Sequence, residues 1–233
     1  MIVKLAALAV VSLVAGATWQ SGPRLPLPRS EVAGALVGGR IAVVGGFLAD
    51  GRNSARVDAF DVRTGVWRRL PDLPVTVDHA MAAAAGGRLY VVGGYGSDRR
   101  PLRAAYMLSS GSWRQLPAPP EARAAGGAAV VGSRLYVAAG VGASGLARNM
   151  LVFDLRRRRW SLAPGATARE HLAVTATGGR IYALGGRSAG FDTNSRLVEA
   201  YNPRTRRWSR LPVLPQARGG TGAASIGATI ISA

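Results

Sequence analysis

The sequence predicts an all-β fold, a β-propeller of four-stranded antiparallel blades. Three observations predict it: tryptophans at a fixed period, apolar glycine-ending strands in phase with them, and no convincing amphipathic helix from Pro23 onward. Trp19, Trp67, Trp113, Trp160 and Trp208 stand 48, 46, 47 and 48 residues apart. In phase with them run Val43-Val44-Gly45-Gly46, Val91-Val92-Gly93-Gly94, Val137-Ala138-Ala139-Gly140 and Ala183-Leu184-Gly185-Gly186. A third marker comprises Phe60-Asp61, Tyr106-Met107, Phe153-Asp154 and Tyr201-Asn202, its second residue six before each internal tryptophan. Three co-phased markers over four periods define one repeating unit of blade length.

In the first unit the strands fall at Val32–Val37, Ile41–Val44, Arg56–Asp61 and Val66–Leu70. The first two meet at Gly38-Gly39, and later units repeat this with Gly86-Gly87, Gly132-Ser133 and Gly178-Gly179. Two residues that tolerate positive φ between apolar runs specify a tight hairpin. The third and fourth strands meet at Arg63-Thr64-Gly65, Ser109-Ser110-Gly111, Arg156–Arg158 and Arg204-Thr205-Arg206. The outer strand ends in Leu-Pro pairs such as Leu70-Pro71 and Leu211-Pro212, because proline cannot extend a ladder. The glycine doublets let neighbouring backbone approach closely, and each tryptophan has about 150–250 Å² to bury between sheets, an upper bound of about 4–6 kcal/mol.

The marker set resembles the Kelch repeat, over about residues 19–233, with Ala139-Gly140 and Met107 as departures from that family's pattern. The resemblance implies a member of the galactose oxidase/Kelch-like superfamily, of the exported bacterial type. The units run 28–74, 75–120, 121–166 and 167–215, with a partial unit made of 216–233 and 18–27. Two closures stand open: a five-bladed ring with a composite blade from both termini, or a truncated six- or seven-bladed ring.

The first 17 residues read as a signal peptide: Lys4, then an apolar run closing on Ala15-Gly16-Ala17, too short for a membrane span. Cleavage after Ala17 leaves the propeller as 18–233 and predicts export to the periplasm, envelope or medium. The 233 residues contain no cysteine, which excludes disulfides, thiolate sites and the cysteine-crosslinked copper chemistry of galactose oxidase. Two histidines, His79 and His171, leave little for zinc, so neither metal nor cofactor is expected. The net charge of +18 is arginine throughout apart from Lys4, and export argues against nucleic acid as its partner. The chain is expected to be a monomer.

A propeller puts both hairpin turns of each blade on one face and the longer connections on the other. The turn face collects Arg63, Arg156, Arg157, Arg158, Arg159, Arg204, Arg206 and Arg207, a basic patch suited to an anionic envelope surface. On the opposite face a second register holds Arg29, Val77, Arg123, Arg169 and Arg218, with Glu31, His79, Ala125, His171 and Gly220 two residues further on. Arg29, Asp78, His79, Arg123, Arg169 and Arg218 are thus the candidate ligand residues at a central mouth. Arginine forks there suit the carboxylate or sulfate of a carbohydrate, small molecule or peptide. The alternative is that these arginines cap strands and pair with Asp78, Glu121 and Glu170. Resemblance to the periplasmic N-acetylneuraminate epimerase makes Glu170 and His171 the candidates for acid–base catalysis. The favoured reading is a non-enzymatic binding module; a sugar-modifying enzyme, a non-catalytic envelope protein and a non-functional truncated propeller stand as alternatives.

Overall fold

The computed structural model describes residues 20–233, so the signal-like segment and Trp19 lie outside the described residues. The described chain is all-β. Blade 1 is β1 (Ala33–Val37), β2 (Arg40–Val44), β3 (Val57–Asp61) and β4 (Val66–Leu70). Blade 2 is β5 (Met81–Ala85), β6 (Arg88–Val92), β7 (Ala105–Ser109) and β8 (Ser112–Gln115). Blade 3 is β9 (Gly127–Val131), β10 (Arg134–Ala138), β13 (Asn149–Asp154) and β14 (Arg159–Pro164), with a small hairpin, β11 (Val141–Gly142) and β12 (Gly145–Leu146), in its long loop. Blade 4 is β15 (Ala173–Thr177), β16 (Arg180–Leu184), β17 (Val198–Asn202) and β18 (Arg207–Leu211), and a hairpin of β19 (Ala223–Ile226) and β20 (Thr229–Ser232) follows. Every blade is an antiparallel meander in chain order, and the innermost strands pack in the series β1, β5, β9, β15, β19 around one axis.

Alternation along each strand puts one side chain on the preceding blade and the next on the following one. Leu89 and Val91 of blade 2 therefore meet Ala42, Val44 and Val57 of blade 1, while Tyr90 and Val92 meet Leu135, Val137, Leu151 and Phe153 of blade 3. Ile181 and Tyr201 close the next seam against Tyr136, Ala138 and Met150. Ile41 stands where Leu89, Leu135 and Ile181 stand in their own blades, but it is 41% exposed and its neighbour Leu36 64%, because this flank of blade 1 carries no apolar cluster among the described residues.

The four described tryptophans sit at the outer rim, half-buried, and their indoles reach back to the preceding outer segment of chain. Trp67, Trp113, Trp160 and Trp208 donate from Nε1 to the carbonyls of Pro23, Pro71, Pro117 and Pro164, at 3.2, 2.9, 2.7 and 2.8 Å. Their burial is thus roughly half of what full insertion would give, about 2–3 kcal/mol each. Residues 21–27 form no strand, yet Pro23 offers its carbonyl to Trp67 as the end of an outer strand does in the later blades.

One sequence alignment is corrected. In blades 1, 3 and 4 the aromatic faces the tryptophan directly, as Phe60↔Trp67, Phe153↔Trp160 and Tyr201↔Trp208. In blade 2 the partner is Leu108, and Tyr106 faces Gln115. The cause is turn length. Asp61, Asp154 and Asn202 close longer turns by accepting backbone N–H groups from Arg63, Arg156 and Arg204. Blade 2 instead turns on Ser110-Gly111, both at positive φ, with Ser109 paired to Ser112, and has no use for an acid there. Met107 is therefore not a departure at the Asp position, because Ser109 occupies it.

The strand-end glycines have a steric role. A Cβ on Gly45 would lie 2.5 Å from the Val77 carbonyl, and one on Gly93 would overlap the Arg123 carbonyl outright. Gly93→Ala is expected to cost about 2–4 kcal/mol, through collision with fixed backbone as well as its φ of 58°. Gly87→Ala, a turn position with open space around it, is expected to cost only about 1 kcal/mol. Chemical denaturation of the two variants side by side checks the difference, and equal losses would contradict the steric role.

Candidate functional site

The connection leading into each innermost strand carries one residue in the left-handed region: Glu31, His79, Ala125, His171 and Gly220, with φ of 51, 50, 52, 51 and 68°. Their backbones form a ladder around the axis. The N–H of His79 donates to the Glu31 carbonyl, Ala125 to His79, His171 to Ala125 and Gly220 to His171, at 3.0, 2.9, 2.8 and 2.8 Å. This conformation turns the five side chains into an axial pocket of about 350 Å³ lined by these residues, Val32, Ala80, Gly126, Leu172, Thr221 and Gly222.

Ala125 and Gly220 leave room, so the two histidines meet across the pocket. Their Nε2 atoms are 2.8 Å apart with the rings edge to face, and Glu31 Oε2 lies 3.1 Å from His79 Nε2. Each histidine also has a carboxylate behind it. Asp78 is hydrogen-bonded to His79 Nδ1, and Glu170 Oε1 lies 3.3 Å from His171 Nδ1. Arg99 bonds the other Asp78 oxygen at 3.0 Å and lies over the rings of Phe47 and Tyr95, which themselves present edges to His79. Burial alone pushes the His79 imidazole down, but hydrogen bonds to Asp78 and Glu31, and their charges, override it and hold its pKa up at about 9. Burial also lowers His171, and the His79 charge adds to that against the opposing pull of Glu170. Glu31 is held below its ordinary value by its bond to His79.

The expected ring of arginines at the mouth is corrected. Arg29, Arg123 and Arg169 have buried side chains that run into their own blades rather than to the pocket. Arg29 bonds Asp58 and the carbonyls of Gly45 and Arg56; Arg169 bonds Glu199 and the carbonyls of Thr167, Ala183 and Gly185. Arg123 holds Glu121, Asn149 and the Ala139 carbonyl, and burial pushes its guanidinium pKa down. Blade 2 has Val77 at this register and packs it with Tyr106, so each blade matches either polar with polar or apolar with apolar. The sequence paired these arginines with Asp78, Glu121 and Glu170; only Glu121 is a partner, while Asp58 and Glu199 lie two residues before Phe60 and Tyr201 on the third strands of their blades. Arg218 is half-buried and gives its carbonyl to Gly186. Of the predicted mouth residues the structure brings His79 and His171 together, with Asp78 and Glu170 behind them. Glu31, Phe47, Tyr95 and Arg99 complete the site, and the signal for Phe47 and Tyr95 was their place directly after Gly45-Gly46 and Gly93-Gly94.

A profile of the KLHDC2/KLHL20/DRC7 Kelch-repeats domain matches residues 33–232, four blades and the final hairpin together. The chain belongs to the Kelch-repeat family. An F-box/kelch-repeat protein of Arabidopsis thaliana is 31% identical over 72 residues, 30% of this chain, and the match spans only 19% of that protein's length.

The raised pKa of His79 means that the stability it contributes is complete below about pH 6.5 and is lost as pH rises through about 9. In chelator, wild type is expected to lose stability relative to His79→Ala across that window, with the His79 imidazole titrating near 9 by NMR and His171 below its ordinary value; coincident titrations near 6.5 would contradict the arrangement. Arg169→Ala strands the buried Glu199 carboxylate and is expected to cost about 3–5 kcal/mol in a denaturation experiment, part of which Arg169→Met with Glu199→Met recovers.

Proposed function

We propose that this Kelch propeller binds an anionic group of its partner, borne by a peptide, a glycan or a small molecule, on the loop face around the axial mouth. The observation that carries this reading is the pocket of about 350 Å³ together with the arginine–aromatic stacks on the loops beside it. Arg99 lies 4.9 Å from the Phe47 ring centroid, and Arg187 lies 4.7 Å from that of Phe191, a ring 80% exposed. Arginine and aromatic side chains dominate binding energy at interfaces, and an arginine stacked in this way keeps hydrogen-bond donors directed outward for an oxyanion. Residues 1–17 favour an exported setting for this module. Glu170 lies beside His171 Nδ1 rather than among the residues lining the pocket, which favours binding over acid–base catalysis.

The turn face supports a second contact. Arg63, Arg156, Arg157, Arg158, Arg159, Arg204, Arg206 and Arg207 are all exposed there, a cationic surface suited to an anionic envelope.

In a peptide-array screen, acidic sequences are expected to be enriched, and Arg187→Ala with Phe191→Ala is expected to weaken the best of them at least ~10-fold. Phe191 is exposed and Arg187 half-buried in the same loop, and unchanged far-UV circular dichroism verifies that the fold is retained. Binding indifferent to that pair would overturn the mouth reading. Adsorption to anionic vesicles is expected to be salt-sensitive and lost on replacing Arg156–Arg159 by alanine; adsorption that survives would remove the second contact.

A further inference from the structure

We propose that Glu31, His79 and His171 form a binding site for one divalent transition-metal ion of the zinc class on the propeller axis. Two imidazole nitrogens and one carboxylate oxygen are the donor set of zinc sites that keep a position open. Here the three donor atoms lie within 4.8 Å of one another, with Nε2 to Nε2 at 2.8 Å and Glu31 Oε2 to His79 Nε2 at 3.1 Å. A tetrahedral ion with bonds of about 2.0–2.1 Å needs donors about 3.3 Å apart, so the rings have to part by only about half an ångström.

The surroundings of the donors favour a metal. A histidine that ligates through Nε2 carries its proton on Nδ1 and is oriented by an acceptor there. His79 Nδ1 has Asp78, itself fixed by Arg99. His171 Nδ1 has no hydrogen-bond partner, yet Glu170 Oε1 stands 3.3 Å from it, and a small ring rotation joins them. Two carboxylate-backed imidazoles, from the connections into β5 and β15, thus aim at one point from opposite sides of the axis. Glu31, from the connection into β1, supplies the third ligand. The sequence expectation of no metal weighed the two histidines without this glutamate, whose contribution depends on the left-handed ladder that faces all three inward. The pocket supplies the open position, for water or for an anionic ligand.

The test uses the full chain after chelator treatment. Titration with Zn²⁺ is expected to show one equivalent bound by calorimetry, a rise in Tm that saturates with it, and, with Co²⁺ instead, the intense visible absorption of a tetrahedral site. His79→Ala and His171→Ala are each expected to weaken binding at least ~100-fold and Glu31→Gln at least ~10-fold. Glu170→Gln, a positioning change, is expected to weaken it ~10-fold. Alanine fits the backbone, since Ala125 holds the same left-handed position in blade 3; unchanged far-UV circular dichroism verifies this, and the zinc-dependent rise of each variant is read against its own metal-free Tm. Absence of any zinc-dependent rise in wild type would leave the histidines joined by a proton alone and overturn the assignment. So would zinc that the double variant His79→Ala with His171→Ala binds as tightly as wild type.

Discussion

The propeller depends on backbone hydrogen bonds that pass from blade to blade at the axis. Within a blade the ladders pair the peptide groups of neighbouring strands, so they say nothing about where the next blade stands. That is set by two inter-blade main-chain bonds that recur at every step. The left-handed residue before each innermost strand donates to its counterpart one blade back, as His79 does to Glu31. The second glycine of each doublet donates to a carbonyl one blade ahead, as Gly46 does to Val77 and Gly94 to Arg123, at 2.8 and 2.9 Å. Both require backbone in a region that most side chains avoid, and the first glycine must also leave its space to the next blade's carbonyl. The apolar seams then fill a spacing already defined by main chain.

The same constraint explains how much was readable in advance. Strand order, hairpin positions and the tryptophan register follow from residues whose reason for recurring is local: positive φ, lack of an N–H, or a large ring at a fixed place. The seams at Leu89, Leu135 and Ile181 follow from simple alternation. What sequence spacing misses is direction. Arg123 and Ala125 are two residues apart at the same mouth, yet one side chain runs into the blade and the other faces the axis, because the left-handed residue between strand and connection reverses the pattern. A period marks positions without marking which way they face, and so Arg29, Arg123 and Arg169 read as mouth residues when they are struts.

The tryptophan pattern failed in one blade for a related reason. Counting six residues back from Trp113 reaches the Asp position of the repeat only if every outer hairpin has the same turn. Ser110-Gly111 closes that hairpin in fewer residues, and Leu108 moves into the aromatic position. Spacing within a repeat is therefore as reliable as the constancy of its turns, and a serine–glycine turn among arginine-rich ones was the visible sign of the exception.

Five positions with the same backbone conformation carry four different chemical choices: an acid, two imidazoles, a methyl and a hydrogen. Since the ladder uses only main-chain atoms, none of these side chains is needed to hold the geometry of the ring. The small residues matter as much as the polar ones. A longer side chain at Ala125 would stand between His79 and His171 and separate the 2.8 Å contact on which the pocket's chemistry turns. The axial chemistry of this propeller is thus written at one position per blade, on a scaffold held together chiefly elsewhere, in the apolar seams between blades.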